Sequence, residues 1–323
     1  MKRSSRRGLL AGLAVAPLVA PRSVLAFPDR PVRILVPFGP GGFADVLARF
    51  MAEALAPRLG QPVAVENRPG AGGNIAAEAL VRAQPDGHTL LLAGQTITSI
   101  NPALYARLPF SAETDFATVA LLAEVPNLAL GGPGTPGATI GDLIAAARAR
   151  PAALSYGSVG PGSLTHLAAA MLCAAADITM EHVPYRTAGA AQADLQAGRI
   201  HLLFESAGSA LGLVRGGGLR ALGVAAASRL PELPDVPAIA ETLPGYEAVG
   251  WYGLLAAAAT PATMLARLRS ESAAILASAA FAAFLAARAA RPMAVPPDQA
   301  AAFLATDRAR WGAAIRASGA RAE

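Results

Sequence analysis

The sequence predicts an α/β protein of two lobes, built from βα units and crossed twice by the chain, and three observations predict it. From Val32 onward, short apolar runs alternate with runs of helical period, the mark of βα units around a mostly parallel sheet. The same theme begins again near Ala153. The residues that follow this second half form a tail too long to belong to it alone. The expected division is residues 27–125 with 229–323 in a first lobe and 126–228 in a second.

Each element follows from local pattern. "VRILVPF" from Val32 is a strand, and "FADVLARFMAEALAPRLG" after it sets Val46, Leu47, Phe50, Met51, Ala54 and Leu55 on one helical face and stops at Gly60. "PVAVE" is a second strand, "NIAAEALVRA" a second helix and "HTLLLAG" a third strand, closing on a polar loop, "GQTITSINP". Three strand ends thus bring three loops to one edge. "FATVALLAEVPNLALGG" reads as a strand pair or one long crossing strand, and "TIGDLIAAARARP" as a helix capped by Thr139 with Asp142 in its first turn. In the second half the strands are "ALSYGS", "ITMEHVPY", "IHLLFES" and "LRALGVAA". The helices between them are "LTHLAAAMLCAAA", "AGAAQADLQAGR" and "GSALGLVRGG". Two helical stretches, Ala262 to Leu285 and Asp298 to Arg316, end the chain. The alanine excess lies on these helices, where its propensity is high.

Residues 1–26 have a basic start, an apolar middle and a small-residue end at Val24-Leu25-Ala26, the pattern of a cleaved export signal. Leu9 to Ala20 is shorter than the roughly 20 residues that span a bilayer and is broken by Pro17. Arg6-Arg7 before Leu9-Leu10 suits the twin-arginine route, and the general secretory route accepts such a start as well. The segment carries Lys2, Arg3, Arg6, Arg7 and Arg22 and no acid, so 22 bases face 22 acids in the remaining 297 residues. That balance lacks the basic footprint of a nucleic-acid binder. Cys173, the sole cysteine, can form no internal disulfide and reads as helix filler among Met171 and Leu172.

Two glycine turns, "PFGPGGFAD" at Pro37–Asp45 and "NRPGAGGN" at Asn67–Asn74, each stand before a helix. Such turns offer backbone N–H groups and the positive end of a helix dipole to an anion. An ATP-binding P-loop needs GxxxxGK[ST], and no lysine follows Lys2. "GPGGFA" lacks the G-x-G-x-x-G spacing of a dinucleotide fold, so no nucleotide cofactor is expected. "YGSVGPGSLTH" brings Ser158, Ser163 and His166 together, which raises an exported serine hydrolase as an alternative, although Gly157-Ser158-Val159-Gly160 misses the G-x-S-x-G elbow by one position. Ser163 more simply caps the helix whose first turn holds His166. His88, His166, His182 and His201 show no metal-ligand spacing. Asp45 has two open roles, ligand contact or a pair with Arg49 at i,i+4. Trp251 and Tyr252 suit a hinge or a core.

Clamping a small acid between two lobes is the remaining use for such helix ends, and at this point longer motifs become specific. "VRILVPFGPGGFADVLAR", "VENRPGAGGNIAAEALVRAQPDGHTLLL", "NPALYARLPFSAETDFATVALLAE", "HVPYRTAGAAQADLQAGRIHLLFES" and "LRALGVAAASRLPELPDVPAIAETLPGYEAVGWYGLLA" occur in order from about Val32 to Leu268. Together they resemble the receptors of tripartite tricarboxylate transporters, the Bug family of periplasmic solute-binding proteins. The resemblance implies a type II periplasmic-binding-protein fold, a monomer without enzymatic activity or cofactor, and lobes that close on a small carboxylate solute delivered to membrane permease subunits. A receptor feeding a two-component sensor is the alternative within binding proteins. Carried over by motif, Phe38, Gly39, Gly41, Gly42 and Asp45 form one binding loop and Ala71, Gly72 and Gly73 another. The opposing lobe contributes Ser158, Gly160, Ser163, His166, Tyr185, Glu205 and Ser206. Thr187 and Ala188 depart from the glycine and serine usual there, and Glu205 from the usual aspartate, which narrows the expected cleft and leaves solute choice open.

Overall fold

A computed structural model describes residues 27–293, 295–296 and 298–321, and the expected export signal lies outside the described residues. The first sheet begins as foreseen. Strands β1 (Val32–Val36), β2 (Val63–Asn67) and β3 (Thr89–Gly94) are parallel neighbours with β1 in the middle. Every residue of β3 is buried, as suits a strand covered on both faces. Helix α1 (Phe43–Leu59) joins β1 to β2 and stops where Gly60 turns left-handed, its N–H reaching Ala56 O. Helix α2 (Asn74–Val81) joins β2 to β3.

The buried stripe of α1 is Ala44, Leu47, Ala48, Met51, Ala52, Leu55 and Leu59. It is rotated about one position from the expected face because alanines let the helix approach the sheet. Phe50 instead stacks on Phe281 and Phe284 at 5.7 and 4.4 Å.

The sheets are mixed and not mostly parallel. Strand β4 (Phe116–Val125) leads through Pro126 into β5 (Asn127–Gly131), so the long apolar run is two strands that belong to different sheets. Strand β10 (Gly250–Ala257), which local pattern left unassigned, lies antiparallel between β3 and β4. The short β11 (Arg291–Pro292) completes the first sheet beyond β4. The second sheet holds β7 (Glu181–Pro184), β6 (Ser155–Ser158), β8 (Leu202–Ser206), β5 and β9 (Arg220–Val224), in that order, with β5 antiparallel to both neighbours.

Helices α4 (Ile140–Ala149), α5 (Leu164–Ala176), α6 (Ala188–Gln196) and α7 (Ala207–Arg215) connect this second set. Thr139 and Asp142 form the expected cap of α4 reciprocally, each side chain accepting the other's backbone N–H. Cys173 packs half-buried against the second-sheet core, and burial pushes its thiol up to about 11.

Two C-terminal features differ from expectation. The stretch from Ala262 is two helices, α8 (Ala262–Leu276) and α9 (Ala279–Ala286), bent by 66° where Ser278 caps the second. Helix α10 (Ala300–Ser318) serves both sheets: Ala300, Phe303 and Leu304 pack with Trp251, and Trp311, Ala314 and Ile315 with α5 and β8. Leu230, Ile239, Tyr246 and Ala248, from the segment assigned by sequence to the first lobe, pack in the cores of the second sheet.

Candidate functional site

The polar run after β3 is not a loop but a π-helical turn, Thr96–Ile100, continued by the short α3 (Asn101–Leu104). It faces the turn between β6 and α5 across a cleft of about 420 Å³. From the first-sheet side the cleft is lined by Phe38, Gly72, Gln95, Thr96, Asn101, Leu104, Tyr105 and Tyr252. The other side supplies Val159, Pro161, Gly162, Ser163, Leu164 and Thr165. Among the sequence-predicted site residues, Phe38, Gly72 and Ser163 line this cleft.

The two first-lobe turns are built as ordered scaffolds. Asp45 is buried, and its carboxylate accepts from Gly41 N–H at 3.0 Å, Asn67 Nδ2 at 2.9 Å and Arg49 through two bonds of 3.0 and 2.9 Å. The Arg49 guanidinium lowers its pKa to about 2 against the opposing effect of burial. Asp45 therefore shapes the turn, because all its strong acceptor positions are occupied within the protein. Asn67 Nδ2 also holds Phe38 O at 3.0 Å. Gly39, Gly41 and Gly42 lie exposed along this turn.

In the second turn Ala71, Gly72 and Gly73 are all left-handed, at φ 48°, 63° and 92°. A Cβ on Gly73 would stand 3.0 Å from Pro37 Cβ and 3.1 Å from Ile97, so glycine there lets the two turns approach each other. Asn101 Nδ2 locks the turn by donating to Gly72 O at 3.0 Å and Asn74 Oδ1 at 2.6 Å.

The second-lobe candidates divide into rim and foundation. Ser163 caps α5, accepting His166 N–H at 3.2 Å and donating to Gly160 O at 2.7 Å. Gly160, at φ 118°, forms the bend of that turn. Ser158 and His166 lie buried beneath it. Gly162 N–H donates to His166 Nδ1 at 3.0 Å, and Gly160 N–H to Ser158 Oγ at 3.1 Å. Ser158 Oγ is in turn 2.7 Å from His182 Nε2. The two imidazoles stack at 4.1 Å, with the Tyr156 ring 5.0 Å from His182. Burial, then the neighbouring His182, lowers the pKa of His166 to about 4, and burial lowers that of His182.

Three candidates point elsewhere. Tyr185 donates its hydroxyl to Asp194 at 2.8 Å, and burial first, then Asp194, pushes its pKa up to about 12. Glu205 accepts from Gln192 Nε2 at 3.2 Å and Ser206 N–H at 3.3 Å, with its pKa raised by burial. Ser206 Oγ donates to Ser209 Oγ at 2.9 Å. Glu205 does not narrow the cleft, because its carboxylate turns toward α6.

Pattern reading missed Gln95, Thr96, Asn101, Leu104, Tyr105 and Tyr252. The polar "GQTITSINP" at the end of a strand was the available signal for the first three. Gln95 Oε1 accepts Trp251 N–H at 2.9 Å. A backbone N–H can only donate, so this bond fixes which end of the Gln95 amide is the acceptor and leaves Nε2 as the donor.

Neither of the two serines weighed for hydrolysis is paired with a histidine ring in the cleft. Ser158 has no exposed surface, and Ser163 meets the backbone of His166, not its ring. Among the described residues no group of three or more His, Cys, Asp or Glu is placed to hold a metal ion.

Comparison with known proteins places this architecture. The family model described as "Tripartite tricarboxylate transporter family receptor" matches residues 47–320. The UPF0065 protein in the tcbD-tcbE intergenic region of Pseudomonas sp. (strain P51) is 38% identical over 82% of this chain and 80% of its own length. Protein BugT of Bordetella pertussis is 32% identical over 96% of this chain and 95% of its own. The solved structure of R. palustris Rpa4515 with adipate superimposes with a TM-score of 0.82 at 33% identity, covering 91% of this chain and 99% of that one. The fold is that of periplasmic binding proteins, and its relatives are solute-binding receptors and not enzymes. The chain thus belongs to the tripartite tricarboxylate transporter receptors, the Bug family of solute-binding proteins.

Proposed function

We propose that this protein, exported and freed of residues 1–26, captures a small carboxylate between its two lobes and delivers it to membrane permease subunits of a tripartite tricarboxylate-type transporter. The observation that carries this is the cleft itself, where side-chain donors from the first sheet face a capped helix N-terminus of the second. Neutral donors and a helix end stabilise one anion without a cationic partner. The adipate bound to Rpa4515 supports the solute class. The chain passes between the lobes along two strand crossings and α10 packs on both, while Ile100 and Leu104 of the first lobe reach the core of the second. Binding shifts the population toward the closed state by its differential affinity for that state.

The test is thermal and calorimetric titration of residues 27–323 with a panel of small carboxylates. A solute at 100 times its dissociation constant stabilises the protein by about 2.7 kcal/mol. Absence of stabilisation by every member at millimolar concentration would refute the receptor function.

A further inference from the structure

A second cavity, of about 190 Å³, lies between the first sheet and helices α8 and α10 and shares no lining residue with the cleft. Three of its lining residues are charged: Arg269 on α8, Arg308 on α10 and Glu113 from the loop before β4. Arg269 spends Nε on Thr118 O at 3.0 Å and forms no ion pair with a described acid. The side chain of Arg308 is 21% exposed and makes no hydrogen bond to a described residue. Glu113 Oε1 stands 3.5 Å from its Nε, on a side chain that is 71% exposed.

A pair so open to water contributes little, so the cavity keeps two guanidiniums against one loosely held carboxylate. That local excess sits in a chain whose 22 bases match its 22 acids beyond residue 26. Like charges on the walls of so small a space repel, and an anion between them turns the repulsion into attraction. Helix α10 adds to the same field. Its first turn meets the cavity at Ala300 and Ala301 and contains no acid, and Asp298 just before it does not line the cavity.

The remaining walls are largely apolar, with Phe116 on β4, Leu255 on β10 and Leu304 on α10. A cavity of about 150 Å³ takes a benzene-sized molecule, so this one takes a single ring with a polar head.

We propose that this cavity is a second binding site, for a small organic anion with one oxyanion head on a compact apolar body. The head lies between Arg269 and Arg308, whose planar forks suit paired oxygens, and displaces Glu113 toward solvent. The body packs against Phe116, Leu255 and Leu304. An occupant ties α8 and α10 to the first sheet and stabilises the folded chain by mass action. The site is separate from the cleft and does not depend on the receptor function.

The experiment uses 4-bromobenzoate and 4-bromobenzenesulfonate, whose bromine marks their position in anomalous X-ray diffraction from crystals of residues 27–323. Bromine beside Phe116 and Leu255, with the head between the arginines, is the expected result for at least one of them. Bromine in the cleft alone, or nowhere at millimolar concentration, overturns the site. Calorimetry at pH 7.5 then compares the bound probe with neutral 4-bromobenzamide, and equal affinity for the amide overturns the anionic head. Arg308→Gln should raise the Kd of the bound probe about tenfold or more, the loss expected for a bond to a charged group. Ala301→Glu, at an exposed position, supplies the acid that the first turn of α10 lacks. It should weaken the probe severalfold while the urea midpoint holds or rises, an outcome that damage to the fold would not give. Unchanged affinity in both variants overturns the placement of the head.

Discussion

Asp307 Oδ2 accepts the indole N–H of Trp251 at 3.0 Å, tying the C-terminal helix α10 to the middle of the first sheet. The same oxygen takes the Ser99 hydroxyl at 2.6 Å, and Oδ1 takes Trp311 Nε1 at 3.1 Å and Arg310 at 2.8 Å. Asp307 is 2% exposed, so its loss strands two indole donors and a hydroxyl away from water. Asp307→Ala is expected to lower the unfolding free energy by about 3–5 kcal/mol, read from urea denaturation. Asp307→Asn keeps one acceptor and should cost less.

Asp45 is a stability and affinity residue of a different kind, since it clamps a turn at the cleft's edge without lining the cleft. Asp45→Ala frees Gly41, Asn67 and Arg49 together and should cost about 1–3 kcal/mol. Solute affinity should fall severalfold, because the ordered turn holding Phe38 must then be formed on binding. The sign of its pH effect follows from a folded pKa held at about 2, below the usual aspartate value of about 3.9. Its stabilisation is complete above about pH 4 and is lost as pH falls toward 2. Loss of affinity without any change in the urea midpoint would contradict this account.

The stacked histidines give a separate pH window. Their folded pKa values are depressed, to about 4 for His166, so the unfolded chain binds protons first. Stability therefore rises with pH between about 4 and 6.5 and is flat above. The ring stacked on the pair is Tyr156 on β6, 6.1 Å from His166 and 5.0 Å from His182, which burial keeps neutral by raising its pKa to about 12. Urea midpoints at pH 5 and 7 should differ in the wild type. That difference should shrink in His182→Gln, which keeps a polar group opposite Ser158. Because Gly162 and Gly160 hang from these imidazoles through direct and serine-mediated bonds, solute affinity should hold while the folded imidazoles stay neutral and fall only as pH drops toward the folded value of His166, about 4.

These contrasts show what the sequence makes legible. The βα alternation up to β3, the caps at Thr139 and Ser163 and the left-handed glycine turns are local facts, written in period 2, period 3.6 and residues that tolerate positive φ. Strand β10 was not legible because its partners β3 and β4 lie more than 120 residues earlier, and "GWYGLLAA" carries no alternation of its own. Tyr105 and Tyr252 belong to the cleft through packing between lobes, which no local window contains. Family motifs pointed to Tyr185 and Glu205, yet here each turns to a partner on α6. Asp307 in sequence is one more charge on a helix, and only the approach of two tryptophans makes it a hub.

Gly162 measures how closely the lobes meet. It sits at φ 73° in the turn before α5, and a Cβ there would stand 2.2 Å from Leu104 Cδ2, on the opposite wall of the cleft. Gly162→Ala thus carries two penalties of different origin. The left-handed backbone costs about 1 kcal/mol for any L side chain and would appear in the stability of the free protein. The collision exists only when the lobes are together, so it should appear as lost solute affinity, on the order of tenfold, and as a larger radius of gyration in X-ray scattering at saturating solute. Leu104→Ala removes the atoms that collide and leaves the backbone strain in place. The double variant should therefore recover affinity relative to Gly162→Ala while recovering none of its stability. Recovery of both would mean that the contact is part of a core and not a boundary between moving lobes.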